Sequence, residues 1–424
     1  MVVKVKILVA LLAVFQTCNF ACGQKKPAEE PVVRPVPVVV QPENSDTAAT
    51  VLKHSVITGA ERTALYLPIL TNKRIGAVVN HTSLIGTAHL VDSLLGLGVK
   101  VQKIYAPEHG FRGLADAGEE VGDGQDQATG LPIISLYGDH QKPTKTDLAG
   151  IDLMVFDIQD VGARFYTYIS TMSYLMEACA EENIPLVILD RPNPNGHYVD
   201  GPVLEKTYRS FVGLHEVPVV HGMTVGEYAQ MVNGEGWLGG GMKCDLTVIP
   251  CLNYDHTTYY ELPAKPSPNL PNMHAIYLYP SLCFFEGTNV SVGRGTDKQF
   301  QVYGAPGFPD GNFSFTPQPG EGAKNPPFEG KRCAGFDLSS LSIETLQTHK
   351  SLNLNYLIDF YHSFPDKQGF FLKNLFFDKL AGNSTLRKQI MEGKSETEIR
   401  ESWAAGLSIF KEKRKQYLLY IDFE

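Results

Sequence analysis

Residues 155–172 read VFDIQDVGARFYTYISTM. An apolar run stops at Asp157, Gln159 and Asp160. A turn follows, then Arg164, Tyr166 and Tyr168, then a helical spacing. A strand buried in a parallel sheet is apolar along its length. Ligands bind in the crevice beyond the carboxyl ends of such strands. Two carboxylates, an amide, a guanidinium and two phenols at one strand exit therefore point to a polar pocket for something small and anionic.

A second strand exit carries Glu108-His109-Gly110. A carboxyl group against apolar walls has a raised pKa and can serve as a general acid near neutral pH. A solvated loop glutamate is the plain alternative. The company of Pro107, His109, Gly110 and Arg112 favours function. Glycoside hydrolysis commonly needs a second carboxylate, which Asp157 or Asp160 could supply, with pairing to Arg164 as the structural alternative. Arg164 and Arg294 are both candidate carboxylate binders, because the guanidinium fork matches that group. Glycines on both sides of Arg294 suggest a tight loop, and Asp297 could instead be its partner. His221 precedes a helix start, where the helix dipole is positive, and fits a ligand contact or a structural hydrogen bond. A metal site could be drawn from His81, His109, His221 and Asp157, but no H-E-x-x-H or close paired-His spacing supports one. No metal or cofactor is expected.

These residues need elements to position them. Strand patterns fall at 75–79, 99–105, 133–136, 153–156, 186–189 and 246–249. Helical patterns fall at 89–97, 168–182 and 224–233, where Thr224 and Glu227 form a capping box. Strand alternating with helix predicts a parallel sheet covered on both faces. Polar clusters then follow four strands at their carboxyl ends: Asn80-His81-Thr82, Glu108-His109, Asp157/Asp160/Arg164 and Asp190-Arg191. These should meet along one sheet edge. Gly234-Glu235-Gly236-Trp237-Leu238-Gly239 matches G-x-G-x-x-G but follows a helix, so it reads as a helix stop. Beyond residue 253 the texture turns to Pro, Gly and aromatics, with the clearest helix at 396–416. The expected fold class is α/β: a Rossmann-like parallel sheet domain at 51–252, a smaller α+β carboxy-terminal domain at 253–424, and the active site in the cleft between them.

The chain has 424 residues, too many for one ordinary core. A net charge of −9 argues against nucleic acid as a partner. Lys4 and Lys6 followed by an apolar run at 7–15 read as an export signal, too short to span a bilayer. Cys18 or Cys22 could then be the lipidated residue of a bacterial lipoprotein. Residues 1–22 are thus read as a signal peptide and 23–50 as a Pro-rich, extended tether. Periplasmic or membrane-anchored localisation follows, with the membrane touched only through the lipid. Five further cysteines have no zinc spacing and read as small buried hydrophobes, with a Cys244–Cys251 disulfide open.

The strings Ala106-Pro107-Glu108-His109-Gly110-Phe111-Arg112-Gly113, Thr129-Gly130-Leu131-Pro132, Ser135-Leu136-Tyr137-Gly138, Leu189-Asp190-Arg191-Pro192-Asn193-Pro194, His221-Gly222-Met223-Thr224 and Gly293-Arg294-Gly295-Thr296-Asp297, with 156–172 among them, resemble the exo-β-N-acetylmuramidase family (NamZ, YbbC-like). They span nearly all of the chain after the tether. One local departure is His81 after Asn80, where many relatives have proline. The resemblance implies a hydrolase that removes N-acetylmuramic acid from the non-reducing end of peptidoglycan fragments, in cell-wall turnover or recycling. It also implies Glu108 as the catalytic carboxyl. Asp157, as nucleophile or base, is our own reading beside it, and participation by the substrate's acetamido group stays open. The lactyl carboxylate of muramic acid suits an arginine, Arg164 or failing that Arg294. Asn80, His109, Arg112, Asp160, Tyr166 and His221 complete the expected binding set, with Tyr168 and Tyr137 on the sugar face. Other readings are a non-catalytic periplasmic sugar-binding lipoprotein and a metal-dependent peptidoglycan amidase.

Overall fold

A computed structural model describes residues 55–111 and 122–424. The expected signal, Cys18, Cys22, the tether and Arg112 lie outside the described residues. The alternating strands form one seven-stranded sheet: β1 (Arg74–Val79), β2 (Lys100–Ala106), β3 (Gly124–Gln125), β4 (Pro132–Ser135), β5 (Leu153–Asp157), β6 (Leu186–Leu189) and β7 (Leu246–Ile249). Their order is β3-β4-β2-β1-β5-β6-β7. All pairings are parallel except that of the edge strand β3 with β4.

The apolar runs explain this sheet. Successive side chains of a strand point to opposite faces. Met154 and Phe156 of β5 enter one hydrophobic core, and Leu153 and Val155 enter the other. Both faces are thus covered, as a parallel sheet requires. Helices Leu90–Gly96, Tyr168–Glu182 and Val225–Gly234 stand close to where their periodicity puts them. The capping box is present, with the Thr224 hydroxyl accepting from the Glu227 N–H. The helix stops at Gly234, so the glycine string does start a loop.

From β1 the chain steps outward to β2 and β4, then crosses back past β1 to β5, β6 and β7. That reversal is the topological switch point, where ligands bind in open α/β sheets. Farther along, Val302–Ala305, Cys333–Asp337 and Phe313–Phe315 form a small antiparallel sheet, followed by helices that end with Glu396–Arg414. The final residues return to the first sheet's helices and strand ends, where the Leu419 N–H reaches Glu227 at 2.8 Å and the Tyr420 hydroxyl reaches Asp190 at 2.6 Å. Cys179, Cys244, Cys251, Cys283 and Cys333 are all buried and unbridged, as small hydrophobes would be. Among the described residues no helix is long and apolar enough to cross a membrane.

Candidate active site

Strand β2 ends at Ala106, and Pro107 opens a tight turn closed by Gly110 N–H on the Pro107 carbonyl at 2.9 Å. His109 and Gly110 both adopt left-handed backbone, with φ of 71° and 74°. For a side-chain-bearing residue that conformation costs roughly 1–2 kcal/mol, and strain of this kind collects at functional sites. The turn delivers Glu108 to the wall of a cavity of about 320 Å³. Tyr137, Phe165, Tyr166, Tyr168, Tyr279 and Phe300 give that cavity its aromatic lining.

Glu108 is half-buried, and both carboxyl oxygens are held. The Tyr137 hydroxyl donates to Oε1 at 2.9 Å, and the Thr167 hydroxyl donates to Oε2 at 2.8 Å. These contacts orient the carboxyl group on the cavity wall. His109 lies behind, its Nε2 3.1 Å from the Ser267 hydroxyl. Tyr166 donates to the Pro266 carbonyl at 2.7 Å and packs edge-on against Tyr168 and Tyr279.

Arg294 lies on the same cavity. Gly293 and Gly295 have φ of 80° and 78°, and a Cβ on Gly293 would stand 2.6 Å from Val302. The tight glycine loop expected here is therefore present. The arginine's partner is Glu286, not Asp297: Nε donates to Oε1 at 2.6 Å. Burial works against the guanidinium charge, but Glu286 outweighs it and leaves its pKa raised. Glu286 was not singled out from sequence. Its one signal there is a lone charge in the run Cys283-Phe284-Phe285-Glu286-Gly287.

Of the expected site, Glu108, His109, Tyr166 and Arg294 line the cavity, with Tyr137 and Tyr168. Other expected residues have different tasks. Asp157 is fully buried, with both oxygens gripped by Arg191 at 2.6 and 2.9 Å. Arg164 is fully buried too. It donates to the carbonyls of Pro202, Val217 and Leu380, and desolvation lowers its pKa to about 9. Both belong to the protein's internal wiring, since their charged ends are already spent on protein atoms. Asp160 caps the turn to Gly162 through a 2.6 Å bond from that N–H. Asn80 holds the Thr82 N–H and hydroxyl. His221 accepts from the Met223 N–H and is so deeply buried that its pKa falls to about 3. None of these five is among the cavity's described walls. No three His, Cys, Asp or Glu side chains gather as a metal-donor group among the described residues.

The sequence model "Exo-beta-N-acetylmuramidase NamZ, N-terminal" matches residues 75–274, and its C-terminal counterpart matches 277–420. The chain belongs to the exo-β-N-acetylmuramidase NamZ family. It is 39% identical over 375 residues to the peptidoglycan β-N-acetylmuramidase NamZ of Bacillus subtilis (strain 168), covering 84% of this chain and 89% of that protein. Two crystal structures of DUF1343 family proteins from Bacteroides fragilis NCTC 9343 share the fold. The first is 52% identical with a TM-score of 0.81, covering 87% of this chain and all of that one. The second is 28% identical with a TM-score of 0.75, covering 86% and 99%. The cavity draws on both NamZ regions: Glu108 and Thr167 come from the first, Glu286 and Arg294 from the second.

Proposed function

We propose that this chain is an exo-acting glycosidase that releases N-acetylmuramic acid from the non-reducing end of peptidoglycan fragments, with Glu108 as its proton donor. The observation that carries this reading is the Glu108 carboxyl, clamped by Tyr137 and Thr167 on the wall of a small aromatic cavity in a chain of the NamZ family. Aromatic faces suit the apolar faces of a sugar ring, and the carboxyl suits its glycosidic oxygen. Glu108 gives its proton to that oxygen as the C1–O bond breaks. The acetamido oxygen of the same sugar then closes on C1, and water reopens the ring after Glu108 takes its proton. This route is favoured because Asp157 is locked to Arg191 and Glu286 is tied to Arg294, so neither is poised as a second group. The basic start, the short apolar run and the following cysteines support an exported, lipid-anchored enzyme of cell-wall turnover.

The test is hydrolysis of a chromogenic β-N-acetylmuramide by the wild type and by Glu108→Gln. The wild type should release the chromophore with retention at C1. The variant, unable to donate the proton, should lose at least about 100-fold in kcat. Inversion at C1 would overturn the acetamido route. A fully active Glu108→Gln would remove Glu108 from the chemistry, and a folded wild type that binds without cleaving would make the chain a sugar-binding protein.

A further inference from the structure

N-Acetylmuramic acid differs from N-acetylglucosamine by a lactyl ether that ends in a carboxylate. A pocket that selects it needs a cation with donors left to give. Arg294 is the one Lys or Arg among the described residues lining the cavity. A guanidinium has five N–H donors in a planar fork. Arg294 commits the Nε–H to Glu286 at 2.6 Å, and its head lies 5.2 Å from the centre of the Phe300 ring. Its two Nη groups have no hydrogen-bond partner among the described residues, and 18% of the side chain remains exposed. Arg164 shows the contrast: its Nη groups are spent on three carbonyls and it has no exposure.

We propose that Arg294 and Glu286 together read the lactyl carboxylate, Arg294 binding it end-on through its two Nη groups and Glu286 acting as the positioning residue that fixes the Nε edge. This rests on the muramidase reading above. Two parallel N–H···O bonds from a planar fork favour a carboxylate over a hydroxyl. Held from behind by Glu286 and beside by Phe300, the fork has little freedom to lose on binding. The flanking glycines let the loop pack this closely, since a Cβ on Gly295 would stand 2.6 Å from the Gln318 carbonyl oxygen. A sugar without the lactyl group leaves this fork desolvated and half-paired, which is a strong way to reject an analogue.

The experiment compares three chromogenic substrates: the β-N-acetylmuramide, its lactyl methylamide and the β-N-acetylglucosaminide. Arg294→Ala should lose about 100-fold in kcat/KM on the muramide, mostly through KM, and at least tenfold less on the two uncharged sugars. Arg294→Lys should recover part of the preference, as a point charge without the fork. Glu286→Gln should raise KM for the muramide about tenfold while kcat falls far less. For any variant too slow to assay, calorimetric binding of free N-acetylmuramic acid against N-acetylglucosamine gives the same comparison. Equal losses on all three substrates, or an intact preference in Arg294→Ala, would overturn the inference. A collapse of kcat in Glu286→Gln on every substrate would instead make Glu286 a catalytic group. If the wild type cleaves no muramide, it is the parent reading that fails.

Discussion

Asp157 ends β5 and Glu108 follows β2, the two strands that flank β1, yet their carboxyls meet different company. Asp157 faces Arg191 inside the protein, bidentate and without solvent. Glu108 stands half-buried on a cavity wall, where the Tyr137 and Thr167 hydroxyls are among its partners. Removing one member of a buried ion pair strands the other charge, at a cost of about 3–5 kcal/mol. Asp157→Asn should therefore lower stability by roughly that amount in urea unfolding, while the folded fraction keeps kcat within a few-fold of wild type. A stable Asp157→Asn protein without activity would return Asp157 to the chemistry. The sequence made Glu108 legible because a strand exit with Pro and Gly around a carboxyl is a recognisable pattern. It could not separate Arg164 from Arg294, because the Nη groups of Arg164 are taken by backbone carbonyls that leave no trace in residue types. Glu286 was invisible for the opposite reason: an isolated glutamate among aromatics resembles any surface charge.

At the level of elements, the six expected strands, three helices and the capping box lie where periodicity places them, within a residue or two, whereas the edge strand β3 and the small antiparallel sheet had no such signal. The expectation that four strand-end clusters share one site held in part. The exits of β2 and β5 supply Glu108 and the segment 165–168 to the cavity. The exits of β1 and β6 are spent on stitching loops: Asn80 on Thr82, and Asp190 on Thr224, Gly226 and Tyr420. Polar residues at a strand end satisfy buried backbone as readily as they bind ligands, and composition does not distinguish the two. The turn after β5 shows the consequence. Burial lifts the Asp160 pKa to about 7, against the lowering pull of the Gly162 and Val161 N–H groups. An unfolded aspartate titrates near 4 (about 3.9). Between about pH 4 and 7 the folded protein holds a proton that the unfolded chain has released. Stability from this group therefore falls as pH rises across that window and levels off above it. Asp160→Asn, which resembles the protonated carboxyl, should flatten this part of the profile and gain most over wild type near pH 8. If the variant and wild-type profiles run parallel, the slope belongs to another carboxyl, such as Asp190, which desolvation lifts to about 6.

Across the whole molecule, the two NamZ regions contribute to one cavity whose volume, about 320 Å³, lies at the small end of small-molecule sites (~300–1,000 Å³). An endo-acting muramidase must seat sugars on both sides of the cut along an open groove. A cavity of this size has room for one substituted sugar, with the next residue leaving through the mouth. Glu108 and Arg294 both lie on its wall, so in the proposed reaction the sugar they engage is the one that ends the chain. Two defined tetrasaccharides of alternating N-acetylmuramic acid and N-acetylglucosamine test this arrangement, one ending in each sugar at the non-reducing end. The muramyl-ended chain should yield free N-acetylmuramic acid and a trisaccharide as its first products. The glucosaminyl-ended chain should stay intact, because its terminal sugar offers Arg294 no carboxylate and its muramyl residue has no free end to enter. Early release of a disaccharide from either chain would show cleavage inside the glycan, and the cavity would then have to open into a groove when substrate binds.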